Sequence, residues 1–144
     1  MVLDVMNAIS NRLYDEFEGT YPIYGDADVL QDFNEPCFFI ALLAPEQSPF
    51  PSGRYYRRQP FMVHFFPEKE EDRAELMDIG DRLFPALEYI TMANGDILRG
   101  TDMGYEIQDG KLFFQVSYNM FVRYEPEDID EMETLKYTGR VEDS

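Results

Sequence analysis

The sequence has little of the residue types on which common catalytic sites depend. It contains one cysteine, Cys37, and one histidine, His64. A lone cysteine cannot form an internal disulfide, and its place inside an apolar run predicts a buried side chain rather than a catalytic thiol. His64 also stands among apolar residues, so we expect a structural role for it. No nucleophile elbow, phosphate-binding loop or calcium-loop spacing is present. We therefore expect no enzymatic activity, no cofactor and no metal.

Long apolar segments and positive charge are also scarce. No stretch approaches the roughly 20 apolar residues that span a membrane, and no basic segment followed by an apolar one opens the chain. We therefore expect a soluble protein that is made in the cytoplasm and has no membrane partner. The 29 acidic and 12 basic side chains give a net charge of −17. This charge disfavours specific binding of nucleic acid, because phosphates repel carboxylates.

Apolar side chains are nevertheless abundant. Hydrophobic residues make up 44% of the 144 residues and aromatic residues 15%, which predicts a folded body with an acidic, solvated surface. A chain of this length is expected to form a single domain, which we place at residues 1–124. In residues 125–144 carboxylates are crowded and apolar periodicity is weak, so we expect a mobile acidic tail or one short helix there.

Apolar periodicity predicts two helices. The first runs from Val2 to Phe17 and is stopped by Gly19. The second follows the acidic residues of segment 68–72, and we expect Pro85 to kink or split it near Asp81 or Arg82.

Five segments rich in aromatic, β-branched or alternating apolar residues are predicted as strands: 21–24, 37–43, 54–66, 97–107 and 111–124. The second is apolar throughout and is expected to lie centrally, covered on both faces. The last two flank the hairpin turn Asp109-Gly110. The order α-β-β-β-α-β-β indicates an α+β fold, with a mixed, mostly antiparallel sheet and two helices packed on one face.

The segment 44–53 holds three prolines around Phe50 and is predicted as a stiff loop. Either Phe50 contacts a partner protein at low entropic cost, or it folds back on the core as part of a rigid connection.

A cluster of basic and aromatic residues follows directly: Arg54, Tyr55, Tyr56, Arg57 and Arg58. Arginine and tyrosine are favoured at interfaces, so the cluster is suited to the acidic surface of an identical neighbour. The alternative is that these arginines only offset the chain's own carboxylates. The overall negative charge makes a nucleic-acid patch the weaker interpretation.

Four segments resemble the phage tail terminator family found in long-tailed phages and defective prophages of Gram-positive bacteria. They are NEPCFFI at 34–40, RYYRR and PFMVHFFP within 54–67, LFPALEYI at 83–90, and YNMFVR at 118–123. The resemblance extends from the first helix to about Tyr124 and includes no catalytic residue.

The resemblance implies a structural virion protein at the head–tail junction. Such proteins form a ring, commonly of six subunits, on the last ring of the tail tube, stop its polymerisation and provide the surface to which the filled head attaches. The implied partners are other copies, the tail tube protein and a head-completion or neck protein, with DNA passing through the lumen. An acidic lumen would suit this passage, because it would not hold DNA. We expect contacts at Phe50, at the cluster Arg54–Arg58 and at Arg99.

Two other functions stay open. Another head–tail joining or tail-tube component would share a small α+β or β-rich domain and ring symmetry. A small carboxylate-based enzyme or ligand-binding domain would need a deep pocket in which carboxylates of perturbed pKa converge.

Overall fold

Apolar residues recur every three to four positions in two segments and alternate with polar residues in several others, which gives helices and strands respectively. Glycine and proline separate these elements. The computed structural model describes residues 2–26, 34–69, 72–125 and 136–143. Within them it has two helices and ten strands: α1 Val2–Glu16, β1 Ile23–Gly25, β2 Cys37–Leu42, β3 Glu46–Phe50, β4 Arg54–Arg58, β5 Pro60–Phe66, α2 Arg73–Leu87, β6 Tyr89–Thr91, β7 Ile97–Gln108, β8 Lys111–Tyr118, β9 Met120–Glu125 and β10 Lys136–Asp143. The predicted α+β class is confirmed.

Helix α1 forms where the apolar stripe predicts it. Val5, Ile9 and Leu13 are fully buried on one side of the helix. The helix ends before Gly19, whose φ of +70° is in the left-handed region that favours glycine. The Gly19 amide donates a hydrogen bond to the Tyr14 carbonyl at 2.9 Å. The predicted stop at this glycine is confirmed.

Helix α2 begins at a side-chain cap and passes through its proline. The Asp72 carboxylate accepts a hydrogen bond from the Glu75 amide at 3.1 Å, which satisfies one of the free donors of the first turn. Of the predicted kink or split near Asp81 or Arg82, the split is wrong, because α2 continues as one helix to Leu87, and the kink stays a prediction. Pro85 removes only the bond to the Asp81 carbonyl, and both residues are exposed, where water can replace it.

The larger sheet has six strands in the order β1-β2-β5-β8-β7-β6, and only β1 and β2 are parallel. Both helices pack on one face, where the core lies. Segment 37–43 forms β2, an interior strand with a neighbour on each side, as expected. The expected cover on both faces is wrong, because the helices lie on one face and Phe39 and Ala41 on the other are only half-buried.

The predicted hairpin turn is confirmed. Asp109 and Gly110 both have positive φ, 52° and 72°, as a two-residue turn between antiparallel strands requires. Strands β7 and β8 pair on either side of it, from Gln108 opposite Lys111 onward.

A second sheet of four strands, in the order β10-β9-β4-β3, was not predicted. The expected stiff loop 44–53 contains an exposed edge strand, β3, followed by a short helical turn at residues 51–53. Pro49 does not prevent this pairing, because proline is tolerated on an edge strand whose other side has no partner in the ladder.

One ribbon of two long strands belongs to both sheets. Segment 54–66, predicted as a single strand, is β4 in the small sheet and β5 in the large one, and β9 and β8 are its partners. The pairing keeps one register from Arg54 opposite Arg123 to Phe65 opposite Leu112. At the junction the Tyr118 amide donates to the Gln59 carbonyl at 2.9 Å. The two sheets are therefore joined without a register shift.

Polar side chains are buried at this junction. Gln59, Ser117 and Asn119 have exposed fractions of 0%, 3% and 7%. The side-chain oxygen of Asn119, Oδ1, accepts a hydrogen bond from the backbone amide of Gln59 at 3.3 Å and from the Ser117 hydroxyl at 2.6 Å. In the sequence, Ser117 and Asn119 alternate with the apolar Val116, Tyr118 and Met120, a pattern that predicts a solvated polar face. Hydrogen bonds among these groups offset the desolvation that burial causes.

The segment expected to be a mobile acidic tail contributes a strand. Residues 136–143 form β10, which pairs with β9 from Lys136 opposite Glu125 to Asp143 opposite Met120. This part of the expected tail is therefore a paired strand, in place of a mobile segment or one short helix. The pairing supplies ladder partners to the β9 backbone, which composition alone does not indicate. Residues 126–135 and 144 of the expected tail lie outside the described residues. The domain boundary at residue 124 stays a prediction.

Replacing Tyr118 by phenylalanine is expected to lower the free energy of unfolding by about 1–3 kcal/mol. The fully buried Tyr118 hydroxyl donates to the Leu87 carbonyl at 2.6 Å, and the variant leaves that carbonyl unsatisfied at the end of α2. Urea unfolding followed by circular dichroism measures the change. Tyr14→Phe is the matched control, because Tyr14 is 61% exposed and should change stability by less than about 0.5 kcal/mol. Equal effects of the two variants would contradict the assigned role of this hydrogen bond.

Candidate protein interface

The helices leave one side of the large sheet uncovered. In β5, Phe61, Val63 and Phe65 are buried towards the helices, whereas Met62 and His64 between them are half-buried on the opposite side. Because the ribbon keeps its register through the junction, the same alternation continues into the small sheet. We call the uncovered side of the large sheet, with the same side of the ribbon in the small sheet, the front.

The front of the small sheet carries three aromatic rings in mutual contact. The Phe50 and Phe121 ring centroids are 5.1 Å apart, those of Tyr56 and Phe121 5.1 Å, and those of Phe50 and Tyr56 6.1 Å. Phe50 remains 43% exposed. The alternative that Phe50 folds back on the core is wrong, because its ring packs on this surface cluster instead.

Arginines surround the aromatic cluster. The Arg54 guanidinium lies over the Phe121 ring, 4.8 Å from its centroid, and Arg54 is opposite Arg123 in the ladder. Arg58 is 4.0 Å from the carboxylates of Glu46 and Asp102. These side chains are more than half exposed, so the two ion pairs contribute little to stability. The front of the small sheet thus combines aromatic area with positive charge.

The residues of the predicted basic cluster lie on both sides of strand β4. Arg54, Tyr56 and Arg58 are on the front, whereas Tyr55 and Arg57 alternate with them and point to the other side. The Tyr55 ring packs on Tyr124, with centroids 5.5 Å apart, and borders the core. The cluster that is continuous in sequence is therefore not one surface.

Arg99 is on strand β7 of the large sheet and not on the small sheet. Its guanidinium is 3.5 Å from the Glu88 carboxylate and 5.8 Å from the centroid of the Tyr89 ring. Arg99 is opposite Tyr89 in the ladder, and the neighbouring Leu98 is buried towards the helices. Alternation therefore places Arg99 and Tyr89 on the front, at the β6 edge.

Two front residues were missed by the sequence analysis as contact candidates. Phe121 and Arg123 are on β9, more than sixty residues after the basic cluster, and pair directly with Tyr56 and Arg54. The signal was present, since both residues alternate with the apolar Val122 and Tyr124 in the last predicted strand. Only the pairing of β4 with β9 brings them to Phe50.

The front also contains a hollow of about 410 Å³ next to a bulge in β7. Met62, Phe113 and Gln115 line it together with Asp102 and Glu106. Both carboxylates are exposed, so the hollow lacks the desolvated, convergent acids that an acid–base site needs. It is better suited to receiving a side chain than to catalysis.

The two reactive side chains that the sequence offers are placed for structure. Cys37 is fully buried, and burial raises the pKa of its thiol to about 11, which disfavours the nucleophilic thiolate. The His64 ring stacks on Phe66 and makes edge contacts with Phe39 and Phe113, with centroids 5.0–5.9 Å apart. These contacts give His64 a packing role on the front.

Within the part of the chain that the structure describes, neither helix is long and apolar enough to cross a membrane. In the same residues, no three histidine, cysteine or carboxylate side chains are grouped so as to hold a metal ion.

Comparison with known proteins gives one family. A family model described as phage tail terminator protein matches residues 4–130, which include α1 from its third residue, α2 and strands β1 to β9. No curated protein matches the chain.

Replacing His64 by phenylalanine is expected to reduce the loss of stability in mild acid. Burial among aromatic rings lowers the pKa of His64 below 6.5, so the unfolded chain binds a proton at higher pH than the folded one. Wild-type stability must therefore fall as pH drops from about 7.5 through 6.5 to the lower pKa of the folded state. Urea unfolding at several pH values between 5.5 and 7.5 tests this.

Comparing the wild type with His64→Phe isolates the titration of one side chain, because His64 is the only histidine in the sequence. The variant should keep the slope that carboxylates cause at the acid end and lose the part that begins near pH 6.5. Parallel curves for the two proteins would mean that the ring is not desolvated as the structure indicates.

Proposed function

Since the chain belongs to the phage tail terminator family, a family of structural virion proteins, we propose that it forms a ring that caps the tail tube. In this proposal the ring, commonly of six subunits, binds the growing end of the tube at the head–tail junction and stops further polymerisation. Its opposite surface then receives the head-completion or neck protein. Its activity is therefore assembly, and no step in it requires catalysis.

The observation that carries the proposal is the front of the small sheet. Phe50, Tyr56 and Phe121 form an aromatic surface with arginines around it. Aromatic residues and arginine are the types enriched at the energetically dominant positions of protein interfaces. We propose Phe50, Arg54, Tyr56, Arg58 and Arg99 as contacts.

The distribution of charge supports a protein partner. The segments 46–58, 120–125 and 136–143, which make up the small sheet, contain six basic and four acidic residues. The segments 1–45 and 59–119 contain six basic and 20 acidic residues. Arginine offers a planar fork to carboxylates, and other copies of this acidic chain present them in number. The same excess of carboxylates supports an acidic lumen, past which DNA moves without being held.

Changing the front should abolish capping without unfolding the subunit. We expect Phe50→Ala with Arg58→Glu to raise the protein concentration needed to cap half of the tube ends by at least about tenfold, the effect of losing one contact worth 1.4 kcal/mol. Purified tail tubes viewed by electron microscopy, with tube length after addition of tube protein, measure capping. Arg57→Glu is the control, because the same charge change lies on the other side of β4.

Thermal unfolding checks that both variants remain folded. Tubes that continue to grow in the presence of wild-type protein would contradict the capping function and favour another head–tail joining component. Normal capping by the front variant would leave the function in place and remove these residues from the contact.

A further inference from the structure

We infer that the ring contact joins the front of one subunit to the back of the next, where the back is the outer surface of α1 and α2. This inference rests on the proposed ring. It adds which surface of the neighbour the front receives, and it follows from where exposed apolar area and charge lie on the fold.

Large apolar side chains are exposed on both surfaces. On the back, Leu3, Tyr14 and Met77 are 57%, 61% and 48% exposed. On the front, Tyr89 and Ile97 are 50% and 58% exposed, in addition to Phe50. Both surfaces therefore have apolar side chains that a contact would remove from water.

The two surfaces have complementary charge. The back exposes the carboxylates of Asp15 and Asp78 beside Tyr14 and Met77 in the sequence, with Asp81 one turn further along α2. The front of the small sheet exposes the arginines described above. Opposite charges at the rim of an interface speed encounter and set the register of docking, while like charges suppress the wrong pairing of front with front.

The geometry distinguishes this contact from a simple dimer. The helices cover one face of the large sheet and the front is its other face, so the two surfaces lie on opposite sides of the subunit. A contact between unlike surfaces gives a ring when its rotation closes and an open filament when it does not, whereas a contact of one surface with itself gives a two-fold dimer. A ring of more than two subunits therefore needs two unlike surfaces, and the front and the back are such a pair.

The hollow on the front gives the contact a place for an anchor. Met62 and Phe113 provide apolar lining, and Asp102 and Glu106 stand at its margin. An exposed side chain of the size of Tyr14 or Met77 from the neighbour's back can enter a hollow of about 410 Å³. Arg58, 4.0 Å from Asp102, is placed to offset the carboxylates that this insertion brings together. Insertion of one such side chain would bury apolar area that each free subunit exposes to water.

Mixing variants with one altered surface each tests the inference. The front variant is Phe50→Ala with Arg58→Glu, and the back variant is Tyr14→Ala with Asp78→Lys. Neither should cap tubes alone. Each retains one intact surface, so a tenfold excess of either should bind the ends of growing rings and reduce capping by wild-type protein several-fold. A combined variant, altered on both surfaces, should not inhibit.

Native mass spectrometry gives a second and more direct test of the contact between subunits. In native mass spectrometry, the front and back variants mixed in equal amounts should form a one-to-one heterodimer that does not grow, because one intact front meets one intact back. Glu68→Lys is the control, since it reverses one exposed charge outside both surfaces and should assemble like the wild type.

The outcomes separate this inference from the function on which it depends. Normal capping by the back variant, or inhibition by the combined variant as strong as that by the single ones, would overturn front-to-back packing while leaving capping intact. A front variant that forms rings in solution yet fails to cap would assign the front to the tube instead of the neighbour. Failure of wild-type protein to cap would remove the function itself.

Discussion

The unbroken register of one two-stranded ribbon is the constraint on which the rest of the structure depends. From Arg54 opposite Arg123 to Phe65 opposite Leu112, each residue of β4 and β5 keeps the same offset to its partner in β9 and β8. A slip of one residue would turn Phe61, Val63 and Phe65 out of the core and bring arginines into it. The register that buries the core therefore also fixes which side chains form the front.

The junction of the two sheets shows what this continuity costs. Between the two sheets the ribbon buries backbone and side-chain polar groups at residues 59 and 117–119, where the strand ladder of one sheet ends and that of the other begins. Gln59 and Asn119 supply hydrogen bonds there, yet the Gln59 Oε1 atom has no partner among the described residues. A buried acceptor without a partner is unfavourable. The unpaired Gln59 Oε1 lies at the junction, between the core and the front. The polar groups at this position hold the ribbon where it passes from one sheet into the other.

Local signals in the sequence predicted the helices, the turn at Asp109 and the α+β class, because those features depend on near neighbours. Local signals gave wrong predictions where the structure depends on pairing between strands that are distant in the sequence. Pro49 indicated a loop, but β4 offers β3 a free ladder edge. Ser117 and Asn119 looked solvent-exposed, but the second sheet buries them. The composition of the front was predicted only in part, since Phe121 and Arg123 reach Phe50 through strand pairing, and alternation moves Arg57 to the other side.

If the subunit has the two complementary surfaces proposed above, premature assembly away from the tube has to be limited, and the net charge of the chain supplies a means. At physiological ionic strength the screening length is about 8 Å, so subunits with a net charge of −17 repel one another as their surfaces approach. Arginine–carboxylate attraction acts only at contact. Binding to a tube end would hold subunits side by side and replace a bimolecular encounter by a local one at high effective concentration. In the proposed ring, repulsion thus delays assembly in solution, and the tube end removes that barrier without changing either surface.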